Sequence, residues 1–196
     1  MLQNKILILE DDKQLGKDLQ EVLTLAGYET ILTNTYELAI EKLTQFKPAL
    51  AICDINLGQG NTGIDFVKNA VPLLPQLEII YVSASSNHLV IENAASTKPL
   101  NYIVKPWSKD QIKVAVKIAF DHIEKKFSLH QSIQKLSTTE LKILTLISKQ
   151  KKSSEIAALL FVSEKTIRNH RYNIMKKLKL PNENNSLLKW AITHLH

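Results

Sequence analysis

Lys5-Ile6-Leu7-Ile8-Leu9-Glu10-Asp11 drives a short apolar run into an acidic pair. Three more runs end the same way. Ala49-Leu50-Ala51-Ile52-Cys53 stops at Asp54, Ile79-Ile80-Tyr81-Val82 at Ser83, and Tyr102-Ile103-Val104 at Lys105-Pro106. Each has the length and β-branched content of a buried strand. Segments with helical periodicity separate them, at about 13–26, 36–46, 63–74, 87–95 and 108–126, and a weaker strand fits 29–33. Gly27 falls at a helix C′ position, and Thr35 and Ser108 fall at N-cap positions. Five β-α repeats predict a parallel, doubly wound sheet. The strand C-termini of such a sheet share one edge, and ligands bind there. Glu10, Asp11, Asp54, Ser83 and Lys105 are therefore expected to converge. Three carboxylates, a hydroxyl and an ammonium suit a hard divalent cation beside a phosphoryl group.

Charge divides the chain. Residues 1–126 hold 13 Lys and Arg against 15 Asp and Glu, whereas residues 127–196 hold 12 against 4. A mildly acidic front and a compact basic back predict two domains, the second with nucleic acid as partner. Cys53 is the one cysteine, so an internal disulfide is excluded, and its apolar strand predicts a small core residue. No apolar run approaches the ~20 residues that span a bilayer, and the N-terminal residues lack a signal-peptide pattern. A cytoplasmic protein without a membrane partner is expected. Residues 121–135 are polar and helix-compatible, without Pro or Gly, and predict the end of a helix plus a linker. Four short helices fit at about 138–149, 153–160, 164–178 and 184–194. Each is too short to be stable alone. Together they are expected to bury Leu141, Leu144, Ile147, Ile156, Leu159, Ile167, Ile174, Leu178, Leu187 and Trp190.

The ordered set Glu10-Asp11, Asp54, Ser83 and Lys105-Pro106 resembles the receiver domain of two-component response regulators, over roughly residues 4–120. The resemblance implies a CheY-like (flavodoxin-like) doubly wound five-stranded parallel sheet of order 2-1-3-4-5. It implies that Asp54 is the nucleophile taking a phosphoryl group from a sensor histidine kinase. Glu10, Asp11, Asp54 and the backbone carbonyl of Asn56 would hold Mg2+, while Asp12 lies outside the metal shell near a helix start. Lys105, joined to Pro106 by a cis bond, would supply a point charge to the phosphoryl oxygens. Ser83 would donate its hydroxyl to them, and Tyr102 would turn inward when that hydroxyl moves. Some positions depart from the family. Gly58 stands where Pro is usual, in the loop Ile55-Asn56-Leu57-Gly58-Gln59-Gly60-Asn61-Thr62-Gly63. Asn101 replaces an acid, and Ala95-Ser96-Thr97-Lys98-Pro99-Leu100 lacks the usual Gly-Ala pattern.

Residues 136–196 resemble the LuxR-type helix-turn-helix domain of the NarL/FixJ regulators. The matching residues are Leu136-Ser137-Thr138-Thr139-Glu140, then Ser154-Glu155-Ile156-Ala157 with Leu160. Val162-Ser163-Glu164-Lys165-Thr166-Ile167-Arg168-Asn169-His170 and Lys177-Leu178 complete the pattern. Thr139 and Gln150 replace a usual Arg and Gly, and the Arg usual after Leu180 is absent. Ser163 would cap the recognition helix and leave its first residues facing the major groove. Lys165, Thr166, Arg168, Asn169, Arg171, Tyr172 and Lys176 are the expected DNA-binding set. Lys165 and Arg168 hold phosphates or read guanine, and Asn169 reads adenine or is solvated. Arg171, Lys176 and Lys177 serve phosphate attraction. His170 lacks a Cys or His at metal-ligand spacing and is expected to be structural. The closing helix forms the DNA-bound dimer contact in this family.

The resulting expectation is a receiver at 1–122, a linker at 123–135 and a small four-helix DNA-binding domain at 136–196. Phosphorylation would control homodimerisation and binding to double-stranded promoter DNA. Two alternatives stay open: a DNA-binding regulator whose receiver is not switched by phosphate, and a receiver acting through protein contacts. An enzyme with a second substrate is not expected, since no second pocket or acid–base pair is visible in the sequence.

Overall fold

A computed structural model describes residues 4–58, 60–85, 87–183 and 185–195. Gln59 of the loop after Asp54, and Asn184 at the expected start of the last helix, lie outside these. The chain splits into two compact units, residues 1–125 and 126–196.

In the first unit five strands alternate with helices: β1 (Lys5–Leu9), α1 (Lys13–Leu25), β2 (Glu29–Thr33), α2 (Tyr36–Phe46), β3 (Leu50–Cys53), α3 (Gly63–Leu73), β4 (Glu78–Ser83), α4 (His88–Ser96), β5 (Asn101–Val104) and the greater part of α5 (Lys109–Gln134), whose last residues, from Lys126, belong to the second unit. All pairings are parallel and the strand order is β2-β1-β3-β4-β5, as expected. Alternation along the strands divides the core in two. Ile6, Ile8, Leu50, Ile52, Ile80 and Val82 meet Leu19, Val22 and Leu23 of α1 and Ile112, Val116 and Ala119 of α5. Leu7, Leu9, Ala51, Cys53, Ile79 and Tyr81 meet Ala39 and Leu43 of α2, Phe66, Val67 and Ala70 of α3, and Ala94 of α4. Strands apolar on both faces are thus explained by helices on both faces.

Local chemistry starts and stops the helices. Asp12 caps α1 by accepting from the N–H groups of Gln14 and Leu15 at 2.9 and 3.0 Å. Thr35 caps α2, Asn87 caps α4, and Thr62 with Asp65 forms a capping box on α3. Ser108 Oγ accepts from Gln111 N at the start of α5. Gly27, at φ +90°, follows α1 as expected. One boundary differs from expectation: α5 continues to Gln134, through the stretch assigned partly to a linker. Nothing between 121 and 135 removes a backbone donor or favours a left-handed conformation, so the helix continues.

The second unit contains α6 (Thr138–Ser148), α7 (Ser153–Leu160), α8 (Glu164–Lys177) and α9 (Ser186–His194). Leu136, Ile143, Leu144, Ile147, Ile156, Ile167, Ile174, Leu178, Leu187 and Ala191 form its core. Leu159, expected inside, is 54% exposed. In α7 the inward positions are taken by Ile156, Ala157 and Leu160, which leaves Leu159 on the outer side.

Candidate functional site

The strand ends converge on an acidic pocket. Glu10 follows β1, and its N–H is held by the Thr33 carbonyl at 3.0 Å. Asp54 follows β3, and its N–H is held by the Leu9 carbonyl at 2.8 Å. These bonds continue the parallel ladder past the strands and set the two carboxylates side by side. Both side chains are almost wholly buried, at 3% and 7% exposure, whereas Asp11 is exposed. One ligand atom from each of Glu10, Asp11 and Asp54 lies within 4.8 Å of the others. This set of hard oxygen donors could hold a metal ion.

Lys105, at the end of β5, completes the pocket. Its N–H is held by the Ser83 carbonyl at 2.9 Å, and its bond to Pro106 is cis. Its ammonium lies 2.5 Å from Asp54 Oδ2 and 2.8 Å from Glu10 Oε2. Burial disfavours the charged amine, but the hydrogen bonds and charges of Asp54 and Glu10 outweigh it and hold the Lys105 pKa above its ordinary value. Burial acts the other way on Glu10, raising its carboxyl pKa, and Lys105 only partly offsets it.

The loop after Asp54 is built by close backbone approach. Asn56 N–H donates to Asp54 Oδ1 at 3.1 Å, and Gly63 N–H donates to the Ile55 carbonyl at 2.9 Å. A Cβ on Gly63 would stand 1.9 Å from the Asp54 carbonyl oxygen, so only glycine permits this approach. Gly58 stands at φ +75°, and a Cβ added there would lie 3.6 Å from Asp11 Oδ2. Ser83 is fully buried, and its Oγ accepts the Ser85 N–H at 3.3 Å. Tyr102 is half-buried, and its hydroxyl donates to the Ser85 carbonyl at 2.8 Å. Behind it Tyr81 is fully buried, with its hydroxyl 3.1 Å from Thr97 Oγ1. Glu10, Asp11, Asp54 and Lys105 are thus brought together, and Ser83 and Tyr102 are linked to each other through Ser85.

The second unit offers the basic helix α8. Ser163 Oγ accepts the Thr166 N–H at 3.1 Å and lies 2.8 Å from Thr166 Oγ1, so Thr166 belongs to the cap. Ile167 and Ile174 are buried; Lys165, Arg168, Asn169, Tyr172 and Lys176 are exposed. Arg171 shares the inward spacing of Ile167 and Ile174 and is half-buried, and burial lowers its pKa. Arg168 Nη2 lies 2.8 Å from Glu164 Oε1. Lys177, expected to attract phosphate, instead bonds Glu140 Oε2 at 2.6 Å. Glu140 is buried, and it also accepts the Ser137 N–H at 2.7 Å in a capping box on α6. Burial opposes its charge, but Lys177 and Ser137 more than compensate and hold its pKa below the ordinary value. The partners are 37 residues apart, so no local pattern announced the pair.

Comparison with known proteins covers both units. Residues 6–117 match the response regulator receiver domain family, and residues 134–188 match the luxR family of bacterial regulatory proteins. The chain is 31% identical over 114 residues to the chemotaxis protein CheY of Thermotoga maritima, across 57% of this chain and 93% of that protein. It is 27% identical over 162 residues to the oxygen regulatory protein NreC of Staphylococcus carnosus, across 72% of this chain and 75% of that protein. Among solved structures, a CheY-like receiver domain protein from Methanospirillum hungatei JF-1 has a TM-score of 0.60 at 25% identity, covering 64% of this chain and 99% of that one.

Proposed function

The chain belongs to the response regulators, with a receiver domain followed by a LuxR-type DNA-binding domain, and on that premise we propose that phosphorylation of Asp54 by a sensor histidine kinase switches its binding to promoter DNA. The observation that carries this reading is the Lys105 ammonium held between Glu10 and Asp54, with Asp11 beside them.

A carboxylate attacking a phosphoryl group must overcome repulsion between negative charges. Asp54 is aligned by the Asn56 N–H on Oδ1, which leaves Oδ2 on Lys105. Lys105 neutralises charge in the resting pocket and then follows it onto the phosphoryl oxygens. Glu10, Asp11, Asp54 and the Asn56 backbone carbonyl would hold Mg2+, which supplies further charge compensation when bound. The Ser83 hydroxyl donates to the attached phosphoryl group. Its movement is felt at Ser85, whose N–H it accepts and whose carbonyl holds Tyr102. New contacts made only in the phosphorylated state shift a two-state equilibrium. That shift favours a homodimer and presents α8 to two half-sites. Lys165, Arg168, Asn169, Tyr172 and Lys176, exposed along α8, form the DNA-facing set, with Thr166 at its cap and Arg171 half-buried behind them, and α9 adds the dimer contact. The protein acts in the cytoplasm.

The test is molecular mass in solution with Mg2+, before and after beryllofluoride, with Asp54→Asn as control. A monomer that becomes a dimer only in the wild type is expected. A second reading, a regulator whose receiver is not switched by phosphate, has one observation in its favour: Tyr102 already sits on the Ser85 carbonyl in this structure. Equal DNA affinity with and without beryllofluoride would select it.

A further inference from the structure

We propose that Glu164 is a positioning residue for sequence readout: its carboxylate holds the Arg168 guanidinium ready to meet a guanine edge in the major groove. The inference rests on the reading of α8 as a DNA-recognition helix.

Glu164 opens α8 and Arg168 follows one turn later, with Arg168 Nη2 2.8 Å from Glu164 Oε1. The two side chains are 43% and 71% exposed. An exposed pair of this kind contributes at most about 1 kcal/mol to the fold, so stability is a weak account of it. It is also a poor choice for simple attraction, because a carboxylate at the groove-facing end of the helix repels phosphates. Its effect on Arg168 is more specific. A guanidinium carries its N–H donors in a rigid plane on a flexible stem. The carboxylate bonds one nitrogen, and the remaining N–H groups stay free for the guanine O6 and N7 acceptors. Fixing the plane in advance lowers the ordering cost of binding. Among the described residues, no other cation on the exposed arc of α8 has such a carboxylate partner. Lys165 and Lys176 have no ion pair, and Lys177 is held by Glu140 outside the arc. The first residues of a recognition helix are also those that reach base edges.

The experiment selects duplexes from a randomised pool with the full-length protein, then substitutes the selected site base by base. Wild type is expected to prefer guanine at one position, and Arg168→Ala to level that preference. Glu164→Ala should lower it by about threefold or more and change nothing further in the Arg168→Ala background. Its affinity for unselected duplex should hold or rise, because a negative charge has left the phosphate surroundings. Glu164→Gln, which keeps an acceptor oxygen, should retain more of the preference than Glu164→Ala. Both side chains are exposed, so the variants are expected to fold, and thermal melts matching wild type would show it. An unchanged guanine preference in Glu164→Ala overturns the proposal. So does an equal loss with and without Arg168, or no effect of Arg168→Ala on base choice. Failure of the wild type to select any duplex overturns the DNA reading itself, before a variant is tested.

Discussion

The Lys105 ammonium is the hinge of the pocket at the scale of single residues. It lets two carboxylates from different strands stay buried together, since a lone buried charge is costly and a paired one is tolerated. Asp54→Asn retains shape and hydrogen-bonding capacity at the end of β3 but is not a nucleophile. It should abolish phosphoryl transfer from a small-molecule phosphodonor and leave the circular dichroism and melting of the protein unchanged; labelling that persists would show that Asp54 is not the acceptor. Stripping divalent metal with EDTA should stop wild-type labelling, and added Mg2+ should restore it. Gly63 carries a different constraint. A methyl group there meets the Asp54 carbonyl oxygen 1.9 Å away, which is backbone that can yield only by moving the loop after Asp54. Gly63→Ala should therefore destabilise the first unit by about 3 kcal/mol in urea unfolding and slow phosphorylation as well.

Among the elements, α6 and α8 are joined by the pair between buried Glu140 and the partly exposed Lys177, and this link should show itself in pH dependence. The native pKa of Glu140 lies below its unfolded value. The stabilisation it contributes is then complete above the unfolded pKa of about 4.5 and is lost as pH falls through the lower native pKa. Amide exchange in α6 and α8 should accelerate over that window in the wild type. Glu140→Gln should abolish the step and leave α6 and α8 less protected at neutral pH, because Lys177 then loses its carboxylate. An unchanged acid profile in the variant would assign the loss to another group. The caps at this scale were legible in advance. Thr35, Ser108 and Ser163 stand where short polar side chains meet the first free N–H groups of a helix, and each accepts such a bond. Lys177 was not legible, because its partner comes from a distant helix.

Across the whole molecule the charge asymmetry has a measurable consequence. With 12 Lys and Arg against 4 Asp and Glu over residues 127–196, duplex affinity should fall with a steep log–log slope in salt. A loss on the order of 10²-fold or more between about 50 and 200 mM is expected from counterion release. A flat salt response would argue for a protein partner in place of DNA. No helix among the described residues is long and apolar enough to cross a membrane.

The strand runs, the acidic landmarks and the helix caps are local patterns, with period, run length and side-chain type carried by neighbouring residues. From them the sequence by itself determined the five β-α repeats, the convergence of Glu10, Asp54 and Lys105 at one sheet edge, and a separate basic helical unit. Two matters were decided only by tertiary structure. Glu140 takes Lys177 out of the set of free cations, and Gly63 lies against the backbone of Asp54. Each depends on which distant atoms come within bonding or contact distance, and helical or strand periodicity holds no information about that.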